Sequence, residues 1–154
     1  PRWDATNSLC SFWLARDWVK GSLVVLNSDV VFHPEILHRV LAAGGDTIAY
    51  DSSSAYAPEH MKVRVVDGQL IDMNKDMDAG VSTGENVGIL SFSDETVKLL
   101  FRKADTILAS GSEQDWIGTA VREVARERKI QAVDIAGLPW VEIDCAHDLQ
   151  WARR

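Results

Sequence analysis

The sequence predicts an α/β protein with a Rossmann-like, mostly parallel mixed sheet flanked by helices. Short apolar runs that are typical of strands alternate along the chain with longer segments that have helical periodicity. The run at 23–26, the helical pattern at 35–43 and the run at 47–50 follow one another in the order of a β-α-β unit. The run at 23–26 is apolar at every position, which favours a strand buried on both faces.

The predicted helices are marked by residues that favour helix ends. Thr6 or Asn7 is a good N-cap for a first helix that runs to about Trp18. Pro34 occupies a first-turn position, and Ser93 caps a segment with acidic residues in its first turn. We therefore predict further helices at 35–43, 94–108, 114–128 and from 146 to the chain end.

The predicted strands are short and bounded by turn residues. An Asp-Gly pair at 67–68 separates apolar runs at 61–66 and 69–73, which is the strongest hairpin signal in the sequence. Polar, breaker-rich segments at 51–58 and 74–84 are predicted loops. The other strands are predicted at 23–26, 47–50, 86–92, 130–135 and 140–143.

Composition indicates one globular domain that spans residues 1–154. The net charge of −7 and the scattered basic residues make nucleic acid an unexpected partner. No apolar run approaches the ~18 residues of a membrane span, so we expect no membrane association and a cytoplasmic protein. Cys10 and Cys145 match no metal-binding or redox spacing and are expected to be reduced, partly buried thiols.

Two carboxylates stand at the predicted carboxyl ends of strands. Asp29 interrupts the apolar stretch SLVVLNSDVVF, and Asp144 ends the stretch WVEID before the last helix. Ligands of open α/β sheets bind at this edge, and Mg²⁺ on a phosphorylated substrate takes one or two protein carboxylates. The pair therefore predicts a magnesium site. The structural alternative is that Asp29 starts a turn and Asp144 caps the final helix.

Five sequence blocks resemble successive parts of the nucleotidyltransferases that couple a nucleotide to a phosphorylated small molecule. They occur in the family's order and are more similar to the phosphocholine, inositol-phosphate and aminoethylphosphonate cytidylyltransferases than to the glucose-phosphate thymidylyltransferases. The blocks are TNSLCSFWLAR at 6–16, VVLNSDVVF at 24–32, MKVRVVDGQLIDMNK at 61–75, GENVGILSFS at 84–93 and LPWVEIDCAHDLQWA at 138–152.

The resemblance implies a nucleotide-diphospho-sugar transferase-like fold and a reaction. A nucleotidyl group, which we expect to be cytidylyl, passes from a nucleoside triphosphate to phosphocholine, a polyol or sugar phosphate, or an aminoalkylphosphonate. Members of the family begin with a strand and a glycine-rich loop that binds the triphosphate, and no segment here matches that loop. We therefore expect an N-terminally truncated chain that forms the C-terminal portion of a nucleotidyltransferase domain and is inactive alone.

The resemblance also implies catalytic roles for three residues. Asp29 and Asp144 match the family's two metal-binding aspartates, and Lys75 matches a lysine that reaches the acceptor's phosphate. Attack of a phosphate oxygen on the α-phosphorus needs no protein nucleophile, only alignment and neutralisation of negative charge. Mg²⁺ on the two aspartates would orient the triphosphate, and Lys75 would reduce the repulsion between two anionic reactants.

Four further residues match substrate contacts of the family. Lys62 would help to neutralise phosphates, Glu85 would lie near the acceptor, and Asn7 would contact substrate. At Gly88 a side chain would obstruct the site. The structural alternatives are a solvated hairpin lysine for Lys62 or Lys75, and for Glu85 a salt bridge to one of these lysines.

The six tryptophans are a high number for this chain length. An aromatic box around a quaternary ammonium is one use for such residues, and it would favour phosphocholine as the acceptor. Trp116 and Tyr56, in or near predicted loops, are the candidates for this box. Core packing accounts better for Trp13, Trp140 and Trp151, which fall on apolar helix faces or in a strand.

Two other functions are consistent with the sequence. A glycosyltransferase of similar architecture would hold Mn²⁺ and a sugar nucleotide on a motif with two acids one residue apart, whereas only Asp29 is acidic in its own stretch. A noncatalytic remnant or regulatory domain would explain the absent glycine-rich loop. Against this last alternative, a structural domain has no physical need for Asp29, Lys75 and Asp144 at the mouth of its sheet.

Overall fold

The structure is a computed structural model that describes residues 4–55 and 59–153, with only the backbone of Trp151. Within these ranges it contains five helices and eight strands. The helices are α1 (Ser8–Leu14), α2 (Pro34–Ala43), α3 (Asp94–Ala109), α4 (Ile117–Ala125) and α5 (Ala146–Ala152). The strands are β1 (Leu23–Leu26), β2 (Val30–Phe32), β3 (Thr47–Asp51), β4 (Lys62–Val66), β5 (Gln69–Asn74), β6 (Gly84–Phe92), β7 (Gln131–Asp134) and β8 (Trp140–Glu142).

The main sheet has six strands in the order β1-β6-β3-β7-β5-β4, and β4 also pairs with the start of β6. Strands β2 and β8 form a separate two-stranded ribbon. Among the described strands only β3 and β7 pair in parallel. The fold class is confirmed as α/β with a mixed sheet, but the prediction that the sheet is mostly parallel is wrong. Apolar runs indicate burial and carry no information about strand direction.

Strand β1 has the predicted bounds but a different environment. It pairs with β6 in the antiparallel direction, and its side chains alternate between the core and solvent. Val24 and Leu26 are 39% and 46% exposed, whereas Leu23 and Val25 pack against the core. The prediction that this strand is buried on both faces is therefore wrong in this structure. The predicted β-α-β unit forms, with β6 inserted between β1 and β3.

The predicted hairpin is confirmed as β4 and β5. Asp67 and Gly68 have φ angles of 50° and 72°, the left-handed values that a two-residue primed turn requires. The register runs from Val66 opposite Gln69 at the turn to Lys62 opposite Asn74 at the open end. The chain continues from this open end into the segment that carries Lys75. The position of the hairpin's end therefore determines the position of the backbone next to Lys75.

Helix α4 begins later than predicted because tertiary hydrogen bonds hold the preceding segment outside a helix. The backbone N–H of Asn7 donates to the carbonyl of Glu113 at 3.0 Å. The N–H of Ile117, the first residue of α4, donates to Oγ of Ser8 at 3.1 Å. Both bonds tie this segment to the start of α1. Helix α1 also ends earlier than predicted, at Leu14.

The sheet separates two hydrophobic clusters. Helices α1, α3 and α4 cover one face, where the rings of Phe12 and Phe101 stack with centroids 4.5 Å apart. Helix α2, through Ile36 and its neighbours, packs on the other face together with the β2–β8 ribbon. Trp13 packs against the first cluster and Trp140 against the second, which confirms the core role predicted for these two tryptophans.

Three smaller features can be compared with the sequence. Cys10 and Cys145 are both free thiols, but the prediction that they are partly buried holds only for Cys10, because Cys145 is exposed. In the part of the chain that the structure describes, no helix is long and apolar enough to cross a membrane. Ser93 is the N-cap residue of α3, but its hydroxyl makes no capping bond and instead donates to Asp46 at 2.8 Å.

A network of buried polar groups lies where β3 and β6 meet at the end of the sheet. Asp51 and Glu85 are register partners, and both are buried. Burial favours the neutral form of Asp51, but hydrogen bonds from Ser53 and Trp140 outweigh it and lower its pKa. Glu85 has a raised pKa, about 7, chiefly because of burial and despite a hydrogen bond from the Ser54 hydroxyl.

The raised pKa of Glu85 predicts that folding stability falls as pH rises. Its ordinary value is 4.5, so between that pH and about 7 the folded protein holds a proton that the unfolded chain releases. The contribution of protonated Glu85 to folding stability is fully present below pH 4.5 and is lost as the pH rises through about 7. A Glu85→Gln variant should therefore gain stability relative to the parent protein between pH 5 and pH 8, as measured by urea unfolding.

Glu95→Gln is the matched control, because the Glu95 side chain is 76% exposed. Its stability difference from the parent should stay nearly constant over the same pH range. A constant difference for Glu85→Gln as well would contradict the ionisation assigned to Glu85.

Candidate active site

Three carboxylates converge beside the β2–β8 ribbon. Carboxylate oxygens of Asp29, Glu142 and Asp144 all lie within 4.8 Å of one another. The sequence predicted Asp29 and Asp144 as a pair, and the structure brings them together. It adds Glu142, which the sequence analysis did not select.

The ribbon explains why these three residues meet. Val30 is the register partner of Glu142, and the N–H of Ile143 donates to the Asp29 carbonyl at 2.8 Å. Residues two apart on an extended chain point to the same side, so Glu142 and Asp144 share a face. The pattern Glu-Ile-Asp was the signal that could have identified Glu142.

Asp148 provides the cap at the start of α5. Its Oδ2 accepts hydrogen bonds from the backbone N–H groups of Asp144 at 3.0 Å and Cys145 at 2.8 Å. The structural alternative for Asp144 was that its own carboxylate caps this helix. The hydrogen bonds that Asp148 accepts from the N–H groups of Asp144 and Cys145 fix the backbone of Asp144 next to the other two carboxylates.

The electrostatics of the cluster favour a bound cation. Burial raises the pKa of Glu142, and the negative charges of Asp144 and Asp29 raise it further. Glu85 acts in the same direction, and Lys75 opposes it. A hard divalent ion on three carboxylate oxygens would offset this repulsion, and such oxygens are the ligands that Mg²⁺ takes. The donor set therefore fits the predicted magnesium ion.

The cluster borders a cavity of about 480 Å³, a size typical of small-molecule sites. The end of β1, the start of α1, the start of α4 and the hairpin strand β5 contribute to its wall. Several polar side chains lie among apolar ones there. They include Asn7, Asn27, Glu59, Lys75, Asn86 and Trp116.

The structure places Lys75 and Trp116 together on this wall. The ammonium nitrogen of Lys75 lies 4.6 Å from the centroid of the Trp116 indole ring, within the range of a cation–π contact. Lys75 is half-buried, and Trp116 is 37% exposed. Tyr56, the second residue proposed for an aromatic box, lies outside the described residues.

Asn7 lies on the cavity wall and also has a structural role. Its side-chain oxygen accepts a hydrogen bond of 2.7 Å from the N–H of Ser8, so it is the N-cap of α1. The sequence analysis proposed both the cap and the substrate contact, and the geometry is compatible with both.

Gly88 allows the close approach of β1 to β6. Its φ angle is +76°, and a Cβ at this position would lie 2.6 Å from Cγ of Asn27. The Asn27 N–H donates to the Gly88 carbonyl at 2.9 Å. A side chain at residue 88 would therefore displace Asn27 from the cavity wall.

Lys62 and Glu85 are not on the wall of this cavity. Lys62 is 2% exposed, and its ammonium donates to the backbone carbonyls of His60 and Lys75. Glu85 lies on the face of β6 opposite Asn86, because neighbouring residues of a strand point to opposite sides. Nδ1 of His60 lies 3.0 Å from Oε2 of Glu85. The structure thus separates these two predicted substrate contacts from the other candidates.

Comparison with known proteins gives one curated relative and several solved structures. No family model matches the chain. The bifunctional IPC transferase and DIPP synthase of Rubrobacter xylanophilus is 27% identical, over 97% of this chain and 33% of the relative. The inositol-1-phosphate CTP transferase of T. maritima superposes with a TM-score of 0.78 at 18% identity, over 97% of this chain and 61% of that protein. The CTP:phosphocholine cytidylyltransferase of Streptococcus pneumoniae superposes with a TM-score of 0.67 at 16% identity, over 97% and 64%.

These comparisons agree with the resemblance in the sequence blocks. The chain spans about a third of the curated relative and about 60% of the two solved structures. At these identities the superpositions show the fold. The chain therefore has the fold that these two nucleotidyltransferase structures share.

Proposed function

We propose that this chain carries the metal-binding and acceptor-binding parts of an Mg²⁺-dependent cytidylyltransferase. The enzyme transfers a cytidylyl group from CTP to a phosphorylated small molecule and releases pyrophosphate. The observation that carries the proposal is the convergence of three carboxylates beside a cavity that also holds Lys75. Two of the structural relatives, an inositol-1-phosphate CTP transferase and a CTP:phosphocholine cytidylyltransferase, support the reaction class.

The proposed reaction is an in-line displacement at phosphorus. An oxygen of the acceptor's phosphate forms a bond to the α-phosphorus, and the bond from that phosphorus to the oxygen bridging it to the β-phosphate breaks. Pyrophosphate leaves with the bonding electrons, so no protein nucleophile is required. The protein holds the reactants in line and offsets their negative charge.

Different side chains at the cavity would bind the metal ion and the acceptor's phosphate. Asp29, Glu142 and Asp144 would hold the metal ion, which supplies charge neutralisation at the triphosphate when it is bound. Lys75 offers a positive charge on the cavity wall, where it would contact the acceptor's phosphate. Repulsion between the two anionic reactants would fall as a result.

We propose a polyol phosphate rather than phosphocholine as the acceptor. The face of Trp116, where a quaternary ammonium would bind, is already in contact with the ammonium of Lys75. Asn7, Ser11 and Asn86 on the wall offer hydrogen-bonding groups that suit hydroxyls. The T. maritima relative also takes its name from inositol-1-phosphate.

The metal assignment predicts that each of the three carboxylates contributes to cation affinity. Asp29→Asn, Glu142→Gln and Asp144→Asn should each weaken Mn²⁺ binding by about tenfold or more, because each removes an anionic ligand. The electron paramagnetic resonance signal of free Mn²⁺ measures this affinity without an activity assay. Asp17→Asn, which removes a carboxylate that is 77% exposed, is the control and should leave affinity unchanged. Equal affinity in all four variants would contradict the site.

The role of Lys75 predicts a loss of turnover. In the protein as it occurs naturally, Lys75→Met should lower pyrophosphate release from CTP and inositol phosphate by about 100-fold, because one charge-stabilising donor is lost. Lys98→Met changes an exposed lysine that pairs with Asp94 on α3 and should retain activity. Turnover of a sugar nucleotide in place of CTP and a phosphorylated acceptor would instead favour the glycosyltransferase alternative.

A further inference from the structure

The open end of the β4–β5 hairpin contains a buried ammonium group. Lys62, the first residue of β4, is 2% exposed. Its Nζ donates to the carbonyl of His60 at 3.4 Å and to the carbonyl of Lys75. One cation thus contacts the segment that enters the hairpin and the segment that leaves it.

The hairpin ladder by itself does not fix the backbone of Lys75. The register of β4 with β5 ends at the pair of Lys62 with Asn74, so Lys75 lies one residue beyond it. Its side chain nevertheless has a defined position over Trp116 on the cavity wall. The contact from Lys62 joins the carbonyl of Lys75 to the last residue pair of the ladder.

We infer that Lys62 is a positioning residue, whose ammonium fixes the backbone at residue 75 and so holds the Lys75 side chain in the cavity. On the other side of the hairpin, the His60 carbonyl that it contacts lies between Glu59 and Met61, and both of these line the cavity. The effect of Lys62 on catalysis rests on the proposed function. The effect of Lys62 on the backbone at residue 75 rests on the contacts alone.

The stability of a Lys62 variant distinguishes a positioning role for this residue from a role in the stability of the whole protein. Removing a cation from water is costly, and this cost offsets part of what the hydrogen bonds of the Lys62 ammonium contribute to stability. A Lys62→Met variant keeps the length of the side chain and removes its three donors. It should therefore unfold at a urea concentration close to that of the parent protein, while order at the hairpin's open end is lost.

The first test needs no substrate. Hydrogen exchange followed by mass spectrometry should show faster exchange in Lys62→Met at residues 59–61 and 74–77, by about tenfold, and no change in α3 or β7. In the same Lys62→Met variant, the rate at which acetic anhydride acetylates the Lys75 amine should differ from the rate in the parent protein. Lys98→Met, the exposed lysine variant, should behave as the parent does.

The second test uses turnover by the protein as it occurs naturally. Lys62→Met should lower kcat by about tenfold or more, because a small misplacement of a positioning group is costly, and should leave the KM for CTP nearly unchanged. Unchanged exchange with a raised KM would overturn the inference and make Lys62 a direct substrate contact. Faster exchange throughout the protein would overturn it too, as general destabilisation. If the parent protein releases no pyrophosphate, the proposed function fails while exchange and acetylation still decide the role of Lys62.

Discussion

Strand β6 is the constraint on which the candidate site depends. It pairs with β3 along one edge and with both β1 and β4 along the other. Alternation of its side chains puts Asn86 and Gly88 toward the cavity and Glu85 toward the opposite face. Because β1 and the hairpin dock on one strand, the segments that follow them carry Asp29 and Lys75 to the same cavity.

The carboxylate cluster forms against its own electrostatic repulsion. The backbone pairing of β2 with β8 and the bonds from Asp144 and Cys145 to Asp148 hold the chain in place. These contacts stabilise an arrangement in which burial and neighbouring charges raise the pKa of Glu142. A fold that concentrates negative charge in this way gains from a cation, and the function that we propose supplies one.

Buried polar residues elsewhere at this end of the sheet join separate elements of the fold. Asp51 accepts from Ser53 and from the Trp140 indole, which joins β3 to the β2–β8 ribbon. Lys62 joins the two ends of the hairpin through backbone carbonyls. Because polar groups are costly to bury without partners, these hydrogen bonds restrict where the joined elements can lie.

The sequence by itself determined the elements other than β2, the hairpin turn and three of the residues that could carry the chemistry. Local signals were sufficient there, because an Asp-Gly turn, an N-cap such as Asn7 and apolar periodicity act over a few residues. The sequence blocks and the strand-end aspartates also predicted Asp29, Asp144 and Lys75, which the structure places beside one cavity.

Only the tertiary structure decided strand direction, the third carboxylate and the positions of Lys62 and Glu85. Direction depends on which strands become neighbours, and an apolar run such as 23–26 is compatible with either answer. Glu142 joins the cluster because the ribbon pairs its strand with the segment after Asp29. Lys62 and Glu85 lie away from the cavity because strand alternation and the packing of each face fix where a side chain points, and these are properties of the assembled sheet.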